Sequence, residues 1–504
     1  MQIHMIGHAS IFVETQDSKI LIDPVLFEPH GEGMEDICPK REVITEKIPE
    51  FDLLIISHQH IDHFDIRSLA FLPKNVDVLI PKDKILQKCL QKLGYSQIYP
   101  LGDFDEVKIG STNILTTRSE YRVPEFGILI ADPSGVFWNQ VDSDVSLDTI
   151  RFVKSRYPQI DFLLAPWQPM LELNYQDNLS LSFPHAEYNK ILEKISLIKP
   201  KMVAPGANGF KFINESSCLN QITFPVTREQ FCRDVGIVCP EVEKNIFPLD
   251  PGDIFTFNNS EFHHMKGSCK FVNKLEDDRD ELDFAPVNIG KNLIDSNPEN
   301  FNLDEMKKAI EEEVCLNLPK LLIEKKDSLF IEHCHWQVIY QLEIVFPDCV
   351  RKYFFDFSQN DIQAIPGRNP LANLFTTITA SSFYSLLKGI KGWDYFHIGG
   401  YYRNFNKIYV ATHHGIIKPD KTEIQDPLEF RFPYNEAFEK VRYQEIETWG
   451  QAESNDLISH ERKTFMMKVG NTIVRLAKTN NNINGKYVSS MENLQLVTAS
   501  SNSL

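Results

Sequence analysis

The chain of 504 residues contains no apolar run long enough to cross a membrane as a helix, which takes about 20 residues. Its first residues, Met1-Gln2-Ile3-His4-Met5-Ile6-Gly7, lack the basic stretch and apolar core of a secretory leader, so a cytoplasmic protein is expected. The nine cysteines are scattered, odd in number and without a Cys-x-x-Cys spacing; they fit reduced thiols better than a disulfide framework. No Cys-x-His…Cys-x-x-His pattern occurs, which excludes a Rieske iron–sulfur centre within these residues. Positive charge is short: 52 Lys and Arg stand against 70 Asp and Glu, a net charge of -18. No basic field exists to bind a nucleic-acid backbone, although a small anionic substrate would need only local Arg or Lys. There is no internal repeat. Histidine is also sparse, with none between His63 and His185.

Against that sparseness, one stretch is dense in potential ligands. The apolar run Leu53-Leu54-Ile55-Ile56 reads as a buried strand, and Ser57-His58-Gln59-His60-Ile61-Asp62-His63 leaves its end. His58 and His60 alternate, so extended backbone points both rings the same way. One metal could take His58 and His60, and a second could take Asp62 and His63. Around this stretch, short strands alternate with helices. Strands are expected at 11–14, 20–22, 76–80, 107–109, 114–117, 127–131, 137–141, 162–165 and 202–204, and helices at 66–72, 84–93 and 186–198. The alternation predicts an α/β layered domain over residues 1–240. The polar loop 28–50 could wall a site beside it.

His-x-His-x-Asp-His resembles the defining motif of the metallo-β-lactamase fold superfamily. The resemblance implies an αββα sandwich with a mono- or dinuclear metal site at one edge. It implies that Asp23, at the end of a strand and before Pro24, supports the metal loop without being a ligand. Gly7-His8-Ala9 resembles a segment of the lactonase-like and phospholipase-like branches, leaving His8 as an outer partner of the site or an ordinary histidine. The family's bridging carboxylate falls on Asp142, with Asp144 as runner-up. Members usually place a histidine after the strand at 114–117; here the candidate is Glu120, which either ligates or pairs with Arg118 or Arg122. Their final histidine follows the strand at 202–204, where this chain has Ala207 and Asn208. That leaves His185, Asn208 or an open position.

The segments 198–210 and 127–142 resemble the metallo-β-lactamase-like module of CMP-N-acetylneuraminate hydroxylase and related diiron hydroxylases, here without a Rieske domain. This implies a site of two metal ions held by His58, His60, Asp62, His63, Glu120, Asp142 and His185, with Asp62, Glu120 and His185 close to the chemistry. A carboxylate in place of an imidazole favours iron, with zinc or manganese as alternatives. The expected activity is a diiron oxygenase that oxidises a small-molecule substrate with O2 and electrons from an external ferredoxin or reductase. The alternative is a metal-dependent hydrolase of an ester, lactone or phosphodiester.

Residues 241–300 read as a polar linker with an acidic run at 275–283. An α+β domain is expected at 301–440, with strands at 329–331, 336–346 and 353–357 in an antiparallel sheet, then a helix at 381–387 before Gly392-Trp393-Asp394. It resembles the sterol-carrier-protein-like domain appended to some metallo-β-lactamase-fold proteins. That likeness implies an apolar pocket, or a packing module through which the chain could form an oligomer. His333-Cys334-His335 and His413-His414 lack nearby carboxylates and receive no metal role. Residues 441–504 form an extension whose tail, from about Thr479, is expected to be disordered.

Overall fold

Two eight-stranded sheets lie face to face. The computed structural model describes residues 1–207, 209–258, 261–285, 293–420, 423–450, 465–470 and 472–476. The first sheet runs, in spatial order, Glu261–Met265, Ile254–Asn258, Gln2–Gly7, Ser10–Glu14, Lys19–Ile22, Leu53–Ile55, Asp77–Pro81 and Ile98–Leu101. The second runs Met202–Pro205, Phe162–Ala165, Gly135–Asn139, Phe126–Asp132, Thr112–Arg118, Glu106–Ile109, Phe465–Val469 and Thr472–Leu476. Ile11, Val13, Ile22 and Ile55 of the first sheet meet Ile128, Ile130, Phe137 and Phe162 of the second in a closed apolar layer. Leu53–Ile55 pairs in parallel with neighbours on both sides, and its unbroken apolar run reflects burial on both faces.

Helices cover the outer faces. Ile66–Phe71 and Lys84–Lys92 lie on the first sheet, each opened by an aspartate cap: Asp65 accepts from Ser68 N, and Asp83 from Ile85 N and Leu86 N. Leu147–Arg156, His185–Ile198 and Arg228–Val238 lie on the second. The order helix, sheet, sheet, helix is the expected αββα sandwich.

Two segments expected outside the sandwich belong to it. Ile254–Asn258, within the expected linker, pairs with Gln2–Gly7, and its Phe255 and Phe257 fill the inter-sheet layer. Phe465–Val469, in the expected extension, pairs with Glu106–Ile109. The tail from Thr479 lies outside the described residues.

The α+β unit is built on a five-stranded sheet ordered Ile365–Pro366, Val350–Asp356, Ile339–Val345, Leu374–Thr379, Tyr402–Asn406. Its first hairpin is antiparallel as expected, but Ile339–Val345 also pairs in parallel with Leu374–Thr379, so the sheet is mixed. The strand expected at 329–331 is instead the approach to a short helix, Ile331–His335. Phe330 and His333, three residues apart, are both buried, and His333 Nε2 donates to Gln425 O at 2.8 Å. That is a helical spacing, not the alternation of a strand.

The two units share one apolar cluster, which runs from the first sheet's outer face into the α+β sheet. Helix Tyr434–Trp449 packs on Ile66–Phe71 and Lys84–Lys92. A buried ion pair pins the junction. Glu32, on the loop 28–50, meets Arg442, which also holds Glu445 at 2.9 Å. Glu32 Oε2 accepts from Gly392 N at 2.9 Å. Removing one member of a buried pair leaves the other charge desolvated. Glu32→Ala is expected to lower stability by about 3 kcal/mol, read as a drop in the denaturation midpoint, with Lys88→Ala at the exposed pair with Glu439 nearly silent.

Candidate metal centre

The ligand loop leaves the carboxyl end of Leu53–Ile55, where parallel strands of layered α/β folds open their binding crevices. Its geometry is set by a residue on the neighbouring strand end. Asp23 is fully buried at a left-handed backbone position, φ 43°. Its carboxylate accepts from Ser57 N at 2.7 Å, from Ser57 Oγ at 2.6 Å and from His63 Nδ1 at 3.0 Å. Because Ser57 Oγ gives its proton to Asp23, it must accept from His58 Nδ1, 2.9 Å away. Both His58 and His63 therefore carry a proton on Nδ1 and face the cluster through Nε2, the atom that ligates a metal once it is deprotonated.

His63 Nε2 is buried, without a hydrogen-bond partner, 3.0 Å from Asp142 Oδ2 and 3.4 Å from Asp62 Oδ2. His58 Nε2 is 3.9 Å from Asp142 Oδ2 and 2.9 Å from His60 Nδ1. Asp142 Oδ1 is likewise buried and unpartnered. One ligand atom each from His58, His63 and Asp142 falls within 4.8 Å of the others, and the same holds for His8, Asp62 and His63. Burial alone would lower His63, yet the facing Asp62 and Asp142 carboxylates lift it well above the usual imidazole range. Against burial, His63 in turn holds Asp62 well below and Asp142 below the ordinary carboxylate range. Orphaned donors among imidazoles and ionised carboxylates fit one or two divalent cations of the iron, zinc or manganese type.

His8 plays a different part. Its Nδ1 accepts from Gly209 N at 3.1 Å, so Nε2 carries the proton donated to Asp62 Oδ2 at 2.9 Å. With both nitrogens engaged, His8 positions Asp62 and is not free to ligate through Nε2. Backbone strain concentrates here: His8 (φ 50°), Asp23 (φ 43°) and Val141 (φ 51°) are all left-handed non-glycine residues next to the cluster. Each costs about 1–3 kcal/mol, and for β-branched Val141 the conformation is a true outlier that aims Asp142.

The structure brings His58, His60, Asp62, His63 and Asp142 together, and it leaves Glu120 and His185 apart. Glu120 is exposed and pairs with Arg118 at 3.2 Å, while its N–H donates to Asp144 O. His185 is exposed at the start of its helix, edge-on to Phe183. Asp144 is taken by Lys194 at 2.5 Å. Asn208 lies outside the described residues, and Ala207 O accepts from Trp167 Nε1 at 2.9 Å. A buried carboxylate on this side that the sequence reading missed is Glu125. It accepts from Ser119 Oγ and is in electrostatic reach of Asp142, His60 and His63; burial pushes its carboxyl up to about 7. Phe126 N donates to Ser57 O at 3.3 Å and so ties this strand start to the ligand loop. The available signal was a carboxylate directly before an apolar strand, after Pro124.

Two expectations follow. Asp23→Asn, which cannot accept from both Ser57 and His63, should weaken metal affinity about 10- to 100-fold, read by chelator competition. Glu120→Ala should leave metal content unchanged while Glu125→Ala reduces it, by metal analysis of the purified variants.

The Beta-lactamase superfamily domain matches residues 2–127. A Mycobacterium tuberculosis protein named as a Rieske 2Fe-2S iron-sulfur protein is 28% identical over 192 residues, 34% of this chain and 36% of that protein. The chain thus spans about a third of the length of the first curated relatives it matches. The 4-amino-L-phenylalanyl peptidyl-carrier-protein 3-hydroxylase of Streptomyces venezuelae is 28% identical over 119 residues, 22% of each chain. A UPF0173 metal-dependent hydrolase of Pyrobaculum arsenaticum is 24% identical over 267 residues, 50% of this chain and 99% of that one. Among solved structures, CmlA, a diiron β-hydroxylase from Streptomyces venezuelae, superposes with TM-score 0.32 at 20% identity, over 41% of this chain and 45% of that chain. The matched superfamily domain, the two facing sheets and the histidine–aspartate loop at their edge give this chain the metallo-β-lactamase fold.

Proposed function

We propose that this chain is a dinuclear metal enzyme of the oxygenase type, oxidising a small molecule with O2 and electrons from an external ferredoxin or reductase. The observation that carries the reading is the mixed donor set, in which Asp62 stands beside His63, and Asp142 beside His58 and His63. Carboxylate oxygens among imidazoles suit iron. His58, His60, Asp62, His63 and Asp142 would hold the metal, with Glu125 buried in electrostatic reach of them. Bound iron would supply the electron transfer and O2 chemistry that no side chain here can provide.

The chain's own residues prepare the site. Asp23 fixes two imidazole tautomers, and His8 holds Asp62 in line. Asp394 of the α+β unit is a buried carboxylate in electrostatic reach of His60. The hydroxylase relative, whose name states an oxidation, and the relatives named for a Rieske centre support this reading.

A hydrolase is the second reading, favoured by the metal-dependent hydrolase that this chain covers almost end to end. Among the described residues, no helix is long and apolar enough to cross a membrane. Metal analysis of the protein as isolated, followed by O2 uptake with a reductant, separates the two. Two irons per chain and reductant-dependent O2 consumption are expected; two zincs with reductant-free turnover of generic esters or phosphodiesters would establish the hydrolase instead.

A further inference from the structure

Arg41, on the loop 28–50, is a buried cation with no part in the site so far described; it is 4% exposed. Its guanidinium makes three hydrogen bonds. Nη1 donates to Ile6 O at 2.6 Å, Nη2 to Val25 O at 2.5 Å and Nε to Glu28 Oε1 at 3.2 Å. A desolvated charge is normally held by a facing ion. Here two of the three contacts go to backbone carbonyls, and those carbonyls stand at two different strand ends.

The same two strand ends carry the residues that set the metal loop. Ile6 lies two residues before His8, and Val25 two residues after Asp23. His8 (φ 50°) and Asp23 (φ 43°) both have left-handed backbone, and Gly7, between Ile6 and His8, has φ 141°. A Cβ at Gly7 would fall 2.7 Å from Ile37 Cγ2 and 3.2 Å from both Cδ and Nη1 of Arg41, so Arg41 lies directly against this bend. Backbone of this kind persists only where its surroundings hold it. A guanidinium suits that task, because its N–H groups form a rigid fork, whereas an ammonium is a point charge on a flexible stem. Arg41 is anchored in turn. Strand Arg41–Val43 pairs with Val272–Lys274, and Cys38 N donates at 2.9 Å to the carbonyl of Gly209, whose own N–H meets His8 Nδ1. The segment 38–41 therefore grips His8 from two directions, through Ile6 and through Gly209.

We propose that Arg41, oriented by Glu28, is a positioning residue for the metal centre: by clamping Ile6 O and Val25 O it holds His8 and Asp23 in the backbone conformations from which they direct Asp62, His58 and His63. None of its three hydrogen bonds goes to a ligand residue, so its effect reaches the metal through His8 and Asp23. The proposal rests on the metal centre of the proposed function and is indifferent to the choice between oxygenase and hydrolase.

Zn2+ affinity of the full chain, measured by chelator competition beside the thermal denaturation midpoint, tests the clamp. Arg41→Lys keeps the charge and loses the fork, and is expected to weaken Zn2+ binding about tenfold, the lower end of what the loss of an outer partner costs a metal site. Leu342→Ala, at a fully buried position of the α+β sheet, opens a cavity and is expected to lower the midpoint at unchanged Zn2+ affinity. Unchanged affinity in Arg41→Lys would overturn the proposal, and so would an equal loss in Leu342→Ala, since lost stability alone would then account for the effect. Should Arg41→Lys not fold, Glu28→Ala decides: it frees the guanidinium at Nε and leaves both carbonyls in place, so weakened Zn2+ binding supports the clamp and unchanged binding overturns it. An unaltered chain that binds no Zn2+ would overturn the metal centre and the clamp together, whereas full binding by both the unaltered chain and Arg41→Lys removes the clamp alone.

Discussion

A carboxylate that holds no ion governs the metal centre. Asp23 has two oxygens and three donors, and that excess of donors is what makes the ligand loop rigid. A single charge, buried at the end of one strand, sets the proton positions on two imidazoles of the next. Its own backbone is tied in as well: Asp23 N donates to Ile55 O at 3.0 Å, and Asp23 O accepts from Ser10 Oγ at 2.5 Å. The strained φ at Asp23 is held from both sides, which is the condition under which such conformations persist.

The site is also a product of two units, not one. The loop 28–50 runs between them, and Glu32 on that loop accepts from the backbone of the second unit while pairing with its Arg442. On either side of Glu32, His30 and Glu35 are buried 3.4 Å apart, in electrostatic reach of Asp62. The α+β unit also brings a buried carboxylate, Asp394, into electrostatic reach of His60, and its helix Trp393–Ile398 packs on Glu172–Gln176.

Much of the sandwich was legible. Short apolar runs between turn residues located its strands, and the spacing of His58, His60, Asp62 and His63 marked the cluster because four residues of ligand type stand within six positions after a buried strand. What stayed hidden was tertiary. Glu120 fits the position by counting from neighbouring strands, but Arg118 and Asp144 hold it outward, and it is the pairing of Phe126 with Ser57 that brings Glu125 in. His185 offered a ligand type at a helix start, and nothing in its vicinity turns it inward. Ile254–Asn258 read as linker because its flanks are polar, although Phe255 and Phe257 alternate as sheet residues do. The parallel pairing of Ile339–Val345 with Leu374–Thr379 could not be read locally, since a parallel partner leaves no turn signal behind.

The hairpin Phe465–Leu476 has a consequence for how the molecule is made. It completes the sheet edge that Glu106–Ile109 would otherwise expose, and Gly470 N donates to Asp105 Oδ1 across 365 residues of chain at 2.9 Å. During synthesis, that edge waits open while the α+β unit emerges and folds. Residues 465–476 are made last, so that edge is the last to be covered, and an uncovered edge strand invites pairing with another chain.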